Sequence, residues 1–102
     1  MPPDTSGALK GLLSTTGLSG RDLARLTSKS PALISRWVQG TRCPSPKDIL
    51  KLCQNLELSP EARESLWAAR FPSLAAALNE EGLSISERLR VFAWVGLAGG
   101  DL

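Results

Sequence analysis

The sequence predicts an all-α protein, and three observations carry that prediction. Serine stands just before one apolar-periodic stretch after another, at Ser19, Ser30, Ser45, Ser59 and Ser84, where its hydroxyl can cap free helical N–H groups. Asp22, Asp48 and Glu87 each follow such a serine by three positions, completing the reciprocal capping box, and Pro31, Pro46 and Pro60 occupy first helical positions, where the missing N–H costs nothing. No run alternates β-branched and polar residues as a strand would. A chain of 102 residues, 42% of them hydrophobic, suits one small domain with a modest core.

Taken in order, helix 1 is expected from Thr5 or Ser6 to Thr15, with Leu9, Leu12 and Leu13 facing inward. Helix 2 starts at Gly20 behind the Ser19 cap. Helix 3 runs over about Pro31–Gln39 behind Ser30, and only Thr27–Lys29 separates the two. Helices this short and this close do not settle antiparallel; the bent packing of a helix-turn-helix is the expected solution. Gly40 ends helix 3 in the left-handed C′ position. Helix 4 begins at Ser45-Pro46 and buries Ile49, Leu50, Leu52, Cys53 and Leu56. Helix 5 opens at Ser59-Pro60-Glu61, carries Ala62, Leu66 and Trp67, and stops near Arg70, where Phe71-Pro72 breaks it. Ser73 caps a short helix to about Glu80, Gly82 ends it, and Ser84 opens a last helix to about Leu97.

The register of Leu18, Leu23, Ala24, Ser30, Ile34, Ser35, Trp37 and Gly40 resembles, without a gap, the Cro and repressor type of helix-turn-helix. That family comprises small DNA-binding domains of bacterial, phage or plasmid origin, and the resemblance covers about Ala8 to Trp67. It implies a compact five-helix domain over residues 1–71, to which residues 72–102 add a C-terminal helical extension. Three positions depart from the family pattern. Ser28 stands where the turn often has glycine, and Lys29 where a small apolar residue is usual. Val38 replaces a common glutamate, whose basic partner on helix 1 corresponds here to Leu13, so that an apolar contact takes the place of an ion pair.

The net charge of +2 conceals an asymmetry. Residues 1–51 hold eight basic and three acidic side chains, a net +5, whereas residues 52–102 hold four and seven, a net −3. The positive half carries the motif, as expected for a surface that meets a phosphate backbone. Other chemistries find little to work with. Cys43 and Cys53 are the only cysteines and histidine is absent, so no zinc set can be assembled and no cofactor is implied. There is no glycine-rich phosphate loop and no identifiable pair of carboxylates on a common face, which argues against an enzyme. The N-terminal MPPDTSG lacks signal-peptide character and no segment is long enough to span a membrane, so the cytoplasm is the expected location.

In the geometry the resemblance implies, the front of helix 3 enters the major groove. Its candidate base readers are Ser30, Pro31, Ala32, Ser35 and Arg36. Arg36 suits guanine O6 and N7 or, equally, a phosphate; Pro31 and Ala32 offer an apolar surface to a thymine methyl or simply start the helix. Backbone contacts are expected from Ser19, the amides of Gly20 and Arg21, and the side chains of Arg21, Lys29, Thr41, Arg42 and Lys47, because a helix N-terminus favours phosphate. Trp37 belongs to the core. The last helix is apolar on more than one face, which leaves two readings open, separately or together: it folds back on helix 5 and completes the core, or some of Leu89, Phe92, Trp94 and Val95 form a twofold interface. The function expected is a homodimeric, sequence-specific repressor on double-stranded DNA with an inverted repeat. Two alternatives stand beside it, an antitoxin that also covers a toxin, and a module that binds another protein.

Overall fold

The computed structural model describes residues 5–98, which form seven α-helices and no strand. They are α1 (Ser6–Thr16), α2 (Gly20–Thr27), α3 (Pro31–Gln39), α4 (Pro46–Asn55), α5 (Pro60–Arg70), α6 (Pro72–Glu80) and α7 (Ile85–Leu97). Local chemistry accounts for most of their beginnings. Ser19, Ser45 and Ser84 each accept from the backbone N–H three residues on, while Asp22, Asp48 and Glu87 reach back to the serine N–H, so both bonds of all three capping boxes form. Ser30 and Ser59 accept from the N–H groups of Leu33 and Ala62.

The start of α6 differs from expectation. Ser73 is not its cap. The helix begins one residue earlier because Pro72, with its preset φ, fits the first helical position, and Phe71 serves as the last residue of one helix boundary and the first of the next. No side chain caps this junction.

Leu9 and Leu12 of α1, Leu23 and Ala24 of α2, Ile34 and Trp37 of α3, and Ile49 and Leu52 of α4 are buried together with Leu66 and Trp67 of α5. Leu13 and Val38, the residues expected to replace an ion pair, are both half-buried against this core. Cys53 is a buried thiol, and burial pushes it up to about 11.

The C-terminal helices join the same core. α6 packs on α5, and α7 packs on both α4 and α5. Phe92 has no exposed surface and stacks on Trp67 with ring centroids 5.7 Å apart and planes 5° from parallel. Arg88 reinforces the contact by pairing with Glu64 of α5 and donating to the Leu83 carbonyl at 2.6 Å. This packing corrects part of the expected dimer surface: Phe92 and Val95 are core residues of their own chain, and Leu89 is half-buried against that core. Trp94 alone of the four stands in solvent.

Candidate nucleic-acid interface

The α2–α3 pair is held by a turn whose backbone has one unusual residue. Ser28 adopts φ 57°, ψ 37°, and its N–H bonds to the Ala24 and Arg25 carbonyls while that of Lys29 bonds to Ala24 at 2.9 Å. This left-handed conformation closes α2, and it disfavours a residue with a Cβ. Replacing Ser28 with glycine is therefore expected to raise stability by about 1 kcal/mol, after allowance for the greater freedom of glycine in the unfolded chain. Urea denaturation monitored by circular dichroism checks it; a lower midpoint for Ser28→Gly counts against a left-handed turn.

Distant residues then fix the motif in place. Asn55, at the end of α4, donates to the Leu26 carbonyl at 2.8 Å, and the Thr27 hydroxyl, fully buried, donates to Leu23 at 2.8 Å. Behind α3, Gly40 takes φ 84°, and the N–H and hydroxyl of Thr41 both donate to the Arg36 carbonyl, at 3.0 and 3.3 Å. Arg70 of α5 donates to the Pro44 carbonyl at 3.0 Å and so holds the loop that carries Thr41 and Arg42. No sequence pattern pointed to Asn55 or Arg70, since their partners lie 29 and 26 residues away.

On this frame α3 buries Ile34 and Trp37 and turns its other side out. Ser30, Pro31, Ala32, Ser35 and Arg36 are all exposed. Gln39 joins them: its side-chain amide donates to the Ser35 hydroxyl at 3.3 Å, one turn along the same face. Gln39 lies outside the sequence candidates, and its place on this face is legible only from the four-residue spacing to Ser35.

The expected backbone-contact set divides. Arg21, Thr41, Arg42 and Lys47 are exposed, and Gly20 is half-buried at the start of α2. Ser19 is exposed, but its hydroxyl is already engaged with Asp22, accepting from that residue's N–H at 3.1 Å and donating to its carboxylate at 3.0 Å. The Asp22 carboxyl is held below its ordinary value, first by the Ser19 backbone N–H, then by the Ser19 hydroxyl, with a smaller contribution from Arg25. The first amides of α2 therefore lie beside a carboxylate that Arg25 pairs with at 2.7 Å. Lys29 is committed elsewhere. Its ammonium lies 3.2 Å from the mostly buried carboxylate of Asp48, tying the turn to the start of α4.

Two capped helices meeting at a left-handed turn, the second presenting an exposed polar front in the basic half of the chain, define a helix-turn-helix DNA-binding domain. The chain belongs to the helix-turn-helix domain family, whose profile matches residues 7–66. Neither a curated protein nor a solved structure matches it. Among the described residues no group of three or more His, Cys, Asp or Glu is placed to hold a metal ion, and no helix is long and apolar enough to cross a membrane.

Proposed function

We propose that the protein is a sequence-specific transcriptional repressor of the Cro and repressor type, acting as a homodimer on an inverted-repeat operator. The observation that supports this reading most is the division of α3 into an anchored side, Ile34 and Trp37, and an exposed front, Ser30, Pro31, Ala32, Ser35 and Arg36. In this reading the front enters the major groove, Arg36 donates to guanine O6 and N7, and Gln39 and Ser35 contact adjacent base edges. Arg21, Thr41, Arg42, Lys47 and the amides of Gly20 and Arg21 meet phosphates; Lys29 contributes little while Asp48 holds it. The part of the chain up to Phe71 carries the DNA contact, and the part beyond completes the core and supplies the dimer contact. Two half-sites about 34 Å apart then place both copies of α3 on one face of the duplex.

Selection of bound oligonucleotides with the natural chain and with Arg36→Ala tests the assignment. The variant is expected to lose its preference at one guanine in each half-site, with binding weaker there by about 1–3 kcal/mol. Uniform weakening across all sequences assigns Arg36 to phosphate instead. If the natural chain shows no salt-dependent affinity for duplex DNA, the regulator reading fails and a protein-binding module replaces it.

A further inference from the structure

Trp37 and Trp67 are 1% and 2% exposed, whereas Trp94 is 72% exposed, and Leu97, one turn further along α7, is 69% exposed. Both lie on the side of the helix opposite Phe92 and Val95, and among the described residues neither is packed into the core. The same side carries Glu87, Arg90 and Val91, which with Leu83 and Trp94 border a groove of about 370 Å³. Glu87 and Arg90 sit one turn apart on this stripe, and both are exposed.

We infer that this stripe is the contact with a second copy of the chain, two α7 helices packing antiparallel about a dyad level with the bond between Arg88 and Leu89. The inference rests on the reading of the protein as a dimeric regulator, and it names the surface and register. About that dyad, Glu87 of one copy faces Arg90 of the other, and Trp94 of one lies level with the start of the other's α7, where Leu83, just outside the helix, borders the groove. One register thus satisfies the charged pair and the apolar pair together, with the indole closing over the end of the facing groove. Moving the dyad to Glu87 sets the two carboxylates against each other, and moving it to Arg90 sets the two guanidiniums together. A parallel arrangement also pairs like with like. Of these arrangements only the antiparallel one centred between Arg88 and Leu89 makes the stripe self-complementary, as an isologous twofold contact requires.

Light scattering coupled to size-exclusion chromatography, on the full chain without DNA at tens of micromolar, tests the inference. The natural chain is expected to run as a dimer. Trp94→Ala and Arg90→Glu are each expected to raise the dimer dissociation constant at least tenfold and to run as monomers with unchanged helicity. Glu87→Arg is expected to run as a monomer as well, but an equal mixture of Glu87→Arg and Arg90→Glu is expected to recover the dimer. Only the mixed pair places opposite charges together at both contacts. Because Glu87→Arg also gives up the bond to the Ser84 N–H, Arg90→Glu and Trp94→Ala carry the result should that variant not fold. The total tryptophan emission should shift to the blue as the natural chain is concentrated, whereas that of Trp94→Ala, which comes from the buried Trp37 and Trp67, should stay constant. A natural chain that is monomeric at this concentration, a dimer indifferent to Trp94→Ala and Arg90→Glu, or a mixture of folded charge variants that fails to pair each overturns the inference. The two readings fail separately: a monomer that binds a single half-site with salt-dependent affinity removes this interface and leaves the reading of α3 in place.

Discussion

Replacing Phe92 with alanine is expected to lower the stability of the whole domain by about 3–5 kcal/mol. The ring is fully buried, stacks on Trp67, and is a major link between α7 and the helices that support the DNA-facing motif. Its removal leaves a cavity bounded by an indole that cannot collapse into it. Against the roughly 5–15 kcal/mol that holds a small domain together, that loss is large, and it should lower the melting temperature by more than about 12 °C. Trp37 lies in α3, outside the altered contact, yet its environment should be lost in the same transition as overall helicity if α7 belongs to one cooperative unit. A variant whose α3 melts at the natural temperature would show that residues beyond Phe71 are an appendage after all.

Gly96→Val is expected to cost about 3 kcal/mol for the opposite reason, overpacking. A Cβ at Gly96 would come within 2.9 Å of Trp67 Cη2, 3.2 Å of Leu50 Cβ and 3.3 Å of the Pro46 carbonyl oxygen. The indole is pinned between Phe71 and Phe92, and the other two atoms are backbone or attached to it, so none can swing aside. Valine adds two methyl groups to that conflict. Gly11→Ala, in the middle of α1, meets nothing within 4 Å and should instead stabilise the protein by about 0.5–1 kcal/mol through helix propensity alone. Thermal melts of the two variants side by side check the pair. Equal effects would mean that the absence of a side chain at Gly96 is unrelated to the approach of α7 to α4.

Helix starts were legible in the sequence because a cap is a contact between residues three apart, and Ser19–Asp22, Ser45–Asp48 and Ser84–Glu87 formed as their spacing predicts. The left-handed ends at Gly17 and Gly40 are local for the same reason, and so is the one at Ser28, whose place in the turn the family pattern gives to glycine. Pro72 shows the limit even of local reading: two adjacent residues could each open α6, and the ring constraint of proline prevailed over the hydroxyl of Ser73. The exposed front of α3 was readable because Ile34 and Trp37, three apart, mark the side that must be buried.

For α7 the pattern was ambiguous, since Leu89, Val91, Phe92, Trp94, Val95 and Leu97 surround the helix and no spacing says which of them meet Trp67. Nor does any local pattern show that Lys29 leans on Asp48, that Asn55 closes the end of α2, or that Arg70 holds the loop behind α3. Hydrogen bonds between near neighbours and charge counts need no tertiary partner, so the all-helical class, the boundaries of the helix-turn-helix and the basic half around it are readable along the chain. That Phe92 and Val95 are core and Trp94 is surface depends on the packing of α7 against α4 and α5. Burial is settled by elements far apart in the chain, and α4 and α5 had to be in place before α7 had an inside.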